Sequence, residues 1–156
     1  EGFLLAGVFP AVAMKTLNSV MLLKCGDNWG FATVDLMCVD LFSGETCFYK
    51  YGAAPSYVSA SRGIRRIKCE SFAPGLSVTA GAEPDIVRMR LKPGNTAIIA
   101  SDGVVGDDDD AWLRDILTSC GDDMKQLARD ALKAAEHSST YSDDMTVLAV
   151  RVEERA

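Results

Sequence analysis

Hydrophobic residues recur at two spacings along this chain, a helical one at its ends and a strand-like one in its middle. Phe3 to Leu5 reads as the end of a helix stopped by Gly7, and Pro10 suits the first turn of a second helix that runs through Leu23. Residues 1–23 therefore predict a helical hairpin. In its second helix Val12, Leu17, Val20 and Met21 can share a face, leaving Lys15, Thr16 and Asn18 toward water. Phe31 to Leu41 and Thr46 to Tyr51 are rich in β-branched and aromatic residues and flank Ser43-Gly44, a hairpin signal. Val34 to Val39 is apolar on both faces except at Asp35, as in a strand covered on two sides. Tyr57 to Ala60 and Ile64 to Cys69 flank Ser61-Arg62-Gly63 and predict a second hairpin. Val87, Met89 and Leu91 alternate with Arg88 and Arg90, giving a half-exposed strand that ends in Lys92-Pro93-Gly94-Asn95. Thr96 to Ser101 runs back as a buried strand.

The helical spacing returns in Trp112, Leu113, Ile116 and Leu117, and again in Met124, Leu127, Ala128, Ala131, Leu132 and Ala135, with Asp122 or Asp123 as the cap of the latter helix. Met145 to Val152 closes the chain as a strand. Helices, then antiparallel strands, then helices and a last strand predict an α+β layered fold.

At 156 residues the chain is long enough for one domain with a real core. With 48% hydrophobic and 24% charged residues it has the composition of a globular protein. No run of about 20 apolar residues exists, so no contact of this segment with the membrane interior is expected. The net charge of -6, from 22 acidic and 16 basic residues, argues against nucleic acid as a partner. The basic residues Arg62, Arg65, Arg66 and Lys68 cluster on one hairpin. They read first as its solvated face, and second as a patch that could steer a phosphorylated partner.

Five cysteines, odd in number and without C-x-x-C spacing, speak against a disulfide framework or a zinc site. A cytoplasmic, reducing compartment fits them best, and most of them fall inside apolar strands, where a buried, inert thiol is the common case. The opening Glu1-Gly2-Phe3-Leu4 has neither methionine nor a basic leader, and reads as a cut inside a larger protein. An upstream membrane segment of that parent stays open.

Two acidic motifs stand at strand ends. Ile98-Ile99-Ala100-Ser101-Asp102-Gly103 places a carboxylate and a glycine where an apolar strand runs out, and Ser142-Asp143-Asp144-Met145-Thr146-Val147 places an acidic pair where another begins. Taken singly, each reads first as a turn or a strand cap. Taken together, they offer hard oxygen donors to a divalent cation. The run Asp107 to Asp110 reads as the solvated, dipole-favoured start of a helix rather than as a metal site. Asp35, a carboxylate within an apolar strand, either points to an edge or belongs to a polar network beneath the site. His137 is the only histidine, in the loop-like stretch Glu136-His137-Ser138-Ser139, so imidazole-based triads and zinc sites have almost no material.

The order of these pieces resembles the metal-dependent PPM family of serine/threonine protein phosphatases, and most closely its SpoIIE-like branch. The resemblance is carried by Phe31-Ala32-Thr33-Val34-Asp35-Leu36 with Val39-Asp40-Leu41, by Gly52-Ala53-Ala54-Pro55-Ser56-Tyr57, by Leu91-Lys92-Pro93-Gly94-Asn95, by Ala100-Ser101-Asp102-Gly103 and by Asp143-Asp144-Met145-Thr146-Val147. It implies a PPM-type sandwich of two antiparallel sheets flanked by helices, with 1–156 a partial phosphatase domain and 31–152 its sandwich core. It implies two Mn²⁺ or Mg²⁺ ions, with Asp102 and Asp143 as ligands and catalytic residues, Gly103 allowing the tight turn, and Asp144, Thr146 and Asp35 in support behind them. The implied reaction is hydrolysis of phosphoserine or phosphothreonine by attack of a metal-bridging water. The implied substrate is a small regulatory protein of the anti-sigma-factor-antagonist kind, which ties the activity to sigma-factor regulation and sporulation.

The family's earlier Asp-Gly strand precedes this chain, so by itself the stretch is expected to bind metal weakly and to be inactive or weakly active. The loop Ala73-Pro74-Gly75-Leu76 stands where the family has Leu-Pro-x-Gly. The resemblance also implies a regulatory part for the opening helices, against the plainer expectation that Leu17, Val20 and Met21 are core. Unpaired strand edges predict association into a homodimer. The rival functional reading is a phosphatase-like module that binds a regulatory protein without catalysis. A purely structural α+β domain is the third.

Overall fold

The computed structural model describes residues 2–25, 30–76, 83–106, 110–138 and 143–154. Four helices and seven strands follow one another as α1 (Gly2–Leu5), α2 (Pro10–Cys25), β1 (Val34–Val39), β2 (Glu45–Tyr51), β3 (Ser56–Ala60), β4 (Gly63–Ile67), β5 (Asp85–Arg90), β6 (Thr96–Ala100), α3 (Ala111–Ser119), α4 (Met124–Ser138) and β7 (Val147–Arg151). The strands form two antiparallel sheets, one ordered β1-β2-β5 and the other β4-β3-β6-β7. The α+β class expected from the sequence is the class observed. Backbone contacts gather the chain into two compact units, Glu1–Ala53 with Cys69–Arg90 and Ala54–Lys68 with Leu91–Ala156.

In the first unit Pro10 opens α2 at a position whose N–H has no helical acceptor to lose, and the Phe9 carbonyl accepts from Val12 and Ala13. Met14, Tyr49 and Tyr51 form the buried centre of this unit, joined by Ala11, Val34, Leu36, Cys38, Cys47 and Ile86. The face of α2 differs from the one expected. Val12 and Val20 are exposed, whereas Asn18 is 1% exposed and its Oδ1 accepts the Gly75 N–H at 3.0 Å. Its polar residues are spread around the helix, so periodicity leaves its orientation open, and a specific polar contact decides it. Gly75 has φ of +90°, and a side chain there would collide with the Gly30 carbonyl oxygen. Ala73-Pro74-Gly75-Leu76 is thus a close-packed loop bonded to α2.

Asp35 pairs with Lys50, its direct cross-strand partner. Both side chains are withdrawn from water, and a buried ammonium such as that of Lys50, 0% exposed, is tolerated only with a charged partner. Asp35 is thus ion-paired within the first unit.

The second unit packs α3 and α4 on its four-stranded sheet. Leu113 and Leu117 of α3 and Leu127, Ala131 and Ala135 of α4 recur one helical turn apart and meet Tyr57, Ile98, Ala100, Val104 and Val105. Asp123 caps α4, its Oδ1 accepting from the Lys125 and Gln126 N–H groups at 2.9 and 3.0 Å. His137 lies in the last turn of α4 rather than in a loop, its Nδ1 2.6 Å from the Lys133 carbonyl oxygen. It is exposed.

Candidate functional site

The two acidic motifs belong to the second unit, at one end of neighbouring strands. β6 and β7 pair from Thr96↔Arg151 to Ala100↔Val147, and this ladder delivers Ser101 and Thr146 side by side where both strands stop. Ser101 ties the ends together. Its N–H donates to the Thr146 carbonyl at 3.0 Å, its hydroxyl donates to the Asp144 carbonyl at 3.2 Å, and the Ser101 hydroxyl oxygen accepts the Thr146 N–H at 2.9 Å. The Ser101 carbonyl accepts from Val104 and Val105, whose side chains are buried in the core of the unit. The turn that carries Asp102 is therefore bonded to β7 on one side and anchored by apolar packing below.

Gly103 measures how closely the two ends approach. A Cβ placed on it would lie 2.6 Å from the Asp144 carbonyl oxygen and 3.3 Å from the Asp143 Cβ. Only a residue without a side chain fits there without displacing backbone. Asp102, Asp143, Asp144 and Thr146 are all exposed at this end. The Asp144 N–H donates to Asp143 Oδ1 at 2.8 Å, which orients that carboxylate.

Exposed carboxylates, with no nitrogen or sulfur donor among them, suit Mn²⁺ or Mg²⁺. The residues present fit such ions as a part of their coordination. Among the described residues no group of three or more His, Cys, Asp and Glu side chains is placed to hold an ion.

A second polar cluster was invisible in the sequence. Asp110, expected to be solvated, is 7% exposed. Its carboxylate accepts from Arg114 Nε at 2.8 Å and from the Tyr57 hydroxyl at 2.8 Å, with Arg66 Nε at 3.5 Å. The bonds from Arg114 hold the Asp110 carboxyl below its ordinary range, assisted by Tyr57 and Arg66 against the effect of burial. Burial, and donation to Asp110, push the Tyr57 hydroxyl well up. A buried carboxylate needs such partners, and β3, β4 and α3 supply one each. Arg66 accordingly leaves the basic face of the β3–β4 hairpin, on which Arg62, Arg65 and Lys68 are exposed. Asp107 to Asp109 lie outside the described residues.

The stage II sporulation protein E (SpoIIE) family profile matches residues 1–153. Stage II sporulation protein E of Bacillus subtilis (strain 168) is 27% identical over 161 residues, which cover 98% of this chain and 19% of that protein. The chain thus spans about a fifth of the length of that relative. The solved PP2C phosphatase domain of B. subtilis SpoIIE with a fragment of its regulatory domain superposes with a TM-score of 0.80 at 24% identity, covering 97% of this chain and 46% of that one. The phosphatase domain of the same protein, presoaked with Mn, gives a TM-score of 0.69 at 24% identity over 99% of this chain and 70% of that one. At these identities the superpositions establish a shared fold.

Proposed function

This chain belongs to the SpoIIE family, and from that premise we propose that its parent protein is a metal-dependent serine/threonine protein phosphatase. The observation that carries the reading is the contact at Gly103, which brings the Asp102 turn against Asp143 and Asp144. Asp102 and Asp143 would hold divalent cations through carboxylate oxygens, Asp144 orienting Asp143 through its N–H. Bound there, the ions would supply an activated water and neutralise charge on a phosphoryl group. No side-chain nucleophile is then required of the chain. Ser101 fixes the distance between the two acidic ends, and Thr146 holds the Ser101 hydroxyl in place.

The substrate class that suits the family is phosphoserine or phosphothreonine on a small regulatory protein of the anti-sigma-factor-antagonist kind. The exposed Arg62 and Arg65 on the β3–β4 hairpin offer positive charge to such a partner. The alternative, a phosphatase-like module that docks a partner without turnover, stays in play because Asp102 and Asp143 are only part of a coordination shell.

The deciding experiment titrates Mn²⁺ into the full-length protein and follows both ion binding and release of phosphate from a phosphoserine protein. Asp102→Asn and Asp143→Asn are each expected to weaken Mn²⁺ binding at least about tenfold and to abolish turnover. Undiminished turnover in both variants would remove these residues from the site. Ion binding without any turnover in the unmodified protein would favour the docking module.

A further inference from the structure

Two thiols of the first unit face each other across a strand pair. Cys38 on β1 and Cys47 on β2 are direct cross-strand partners, so both side chains leave the same face of the sheet. It is the face on which Ala11 and Met14 of α2 pack. The Asp40 N–H donates to the Glu45 carbonyl at 2.8 Å, which marks those opposed residues as a hydrogen-bonded pair. Such pairs alternate along an antiparallel ladder, so Cys38 and Cys47 form another, with Cα atoms about 5.5 Å apart. That separation falls inside the range a disulfide spans. Both thiols are free and half-buried. Burial, and then the proximity of Cys47, push the Cys38 thiol up. Cys47 also meets the Tyr49 side chain in a hydrogen bond, while Cys69 Sγ lies 3.3 Å from Ser71 Oγ and Cys120 Sγ donates to the Leu117 carbonyl at 3.2 Å.

We propose that Cys38 and Cys47 are a site of reversible oxidative modification, closing to an intrachain disulfide when a peroxide is present. One sulfur attacks a peroxide oxygen, the O–O bond breaks, and a sulfenic acid and one water result. The partner sulfur then attacks the sulfenic sulfur, the S–S bond forms, and the S–O bond breaks to release a second water. The two thiols lose two electrons and two protons, and hydrogen peroxide takes them up. A dithiol reductant reverses the change. The bond would rivet β1, an edge strand of its sheet among the described residues, to β2 beneath α2. This inference stands apart from the phosphatase reading, since none of its residues belongs to the acidic end of the second unit.

The test treats the full-length protein with hydrogen peroxide, blocks remaining thiols by alkylation and maps the peptides by mass spectrometry. The expected result is a linked Cys38 and Cys47 peptide pair, lighter by two hydrogens, that disappears on treatment with dithiothreitol. Oxidation should also raise the Tm of the unmodified protein by a few degrees, and leave the Tm of Cys38→Ser and Cys47→Ser variants unchanged. Recovery of both cysteines as alkylated thiols, their separate conversion to sulfinic acids, or linkage of either to Cys25 or to another molecule would overturn the proposal. The peptide map of the unmodified protein decides the matter even where a variant folds poorly.

Discussion

At Gly103 a single hydrogen separates one acidic turn from the other. Gly103→Ala would drive a methyl group against the Asp144 carbonyl oxygen, a backbone atom that cannot swing away. The expected cost is about 1–3 kcal/mol in urea unfolding, together with weaker Mn²⁺ binding. Unchanged values for both would show that the ends need not touch. Asp110 gives a second test. Its folded-state pKa lies below the ordinary 3.8, chiefly through Arg114. The stability it contributes is therefore complete above about pH 4 and fades as pH falls through the folded-state value. Asp110→Asn should lose about 2 kcal/mol at pH 7 and lack this acid-side decline. Parallel stability-against-pH curves for the two proteins would contradict the assignment. The strand-end placement of Asp102 and Asp143 was legible in the sequence because a carboxylate beside the end of an apolar strand has few ways to be placed. Ser101, Asn18 and Asp110 were not, since what buries a polar side chain is a partner distant in the chain, and no local pattern records that partner.

Elements bounded by turns were the easiest to foresee. Gly44 and Gly63 both adopt positive φ and close the two hairpins where the sequence placed them. The helices α3 and α4 followed from apolar residues one turn apart, because their outward faces are polar. α2 lacks that contrast, and its buried side was assigned wrongly at Val12, Val20 and Asn18. The bond from Gly75 N–H to Asn18 is what orients it. Asn18→Ala should leave the Gly75 N–H without its acceptor, cost about 1–2 kcal/mol and speed amide exchange at Gly75 in particular. Exchange at Gly75 as slow as in the unmodified protein would mean that α2 is held by packing alone. β7 begins at Val147 rather than Met145, because the ladder starts opposite Ala100 and the preceding residues serve the acidic end instead.

For the molecule as a whole, each sheet ends on strands with a ladder partner on one side only among the described residues, β1 and β5 in one and β4 and β7 in the other. Such edges invite pairing between copies. Sedimentation of the 156-residue chain should show association that grows with concentration, and a purely monomeric boundary at high concentration would count against it. No helix among the described residues is long and apolar enough to cross a membrane. The two units are interleaved along the chain: Cys69–Arg90 belongs with the first, although Ala54–Lys68 ahead of it belongs with the second. No single breakpoint can carry one unit away and leave the other whole, so recombination must inherit, fuse or discard the pair as a block.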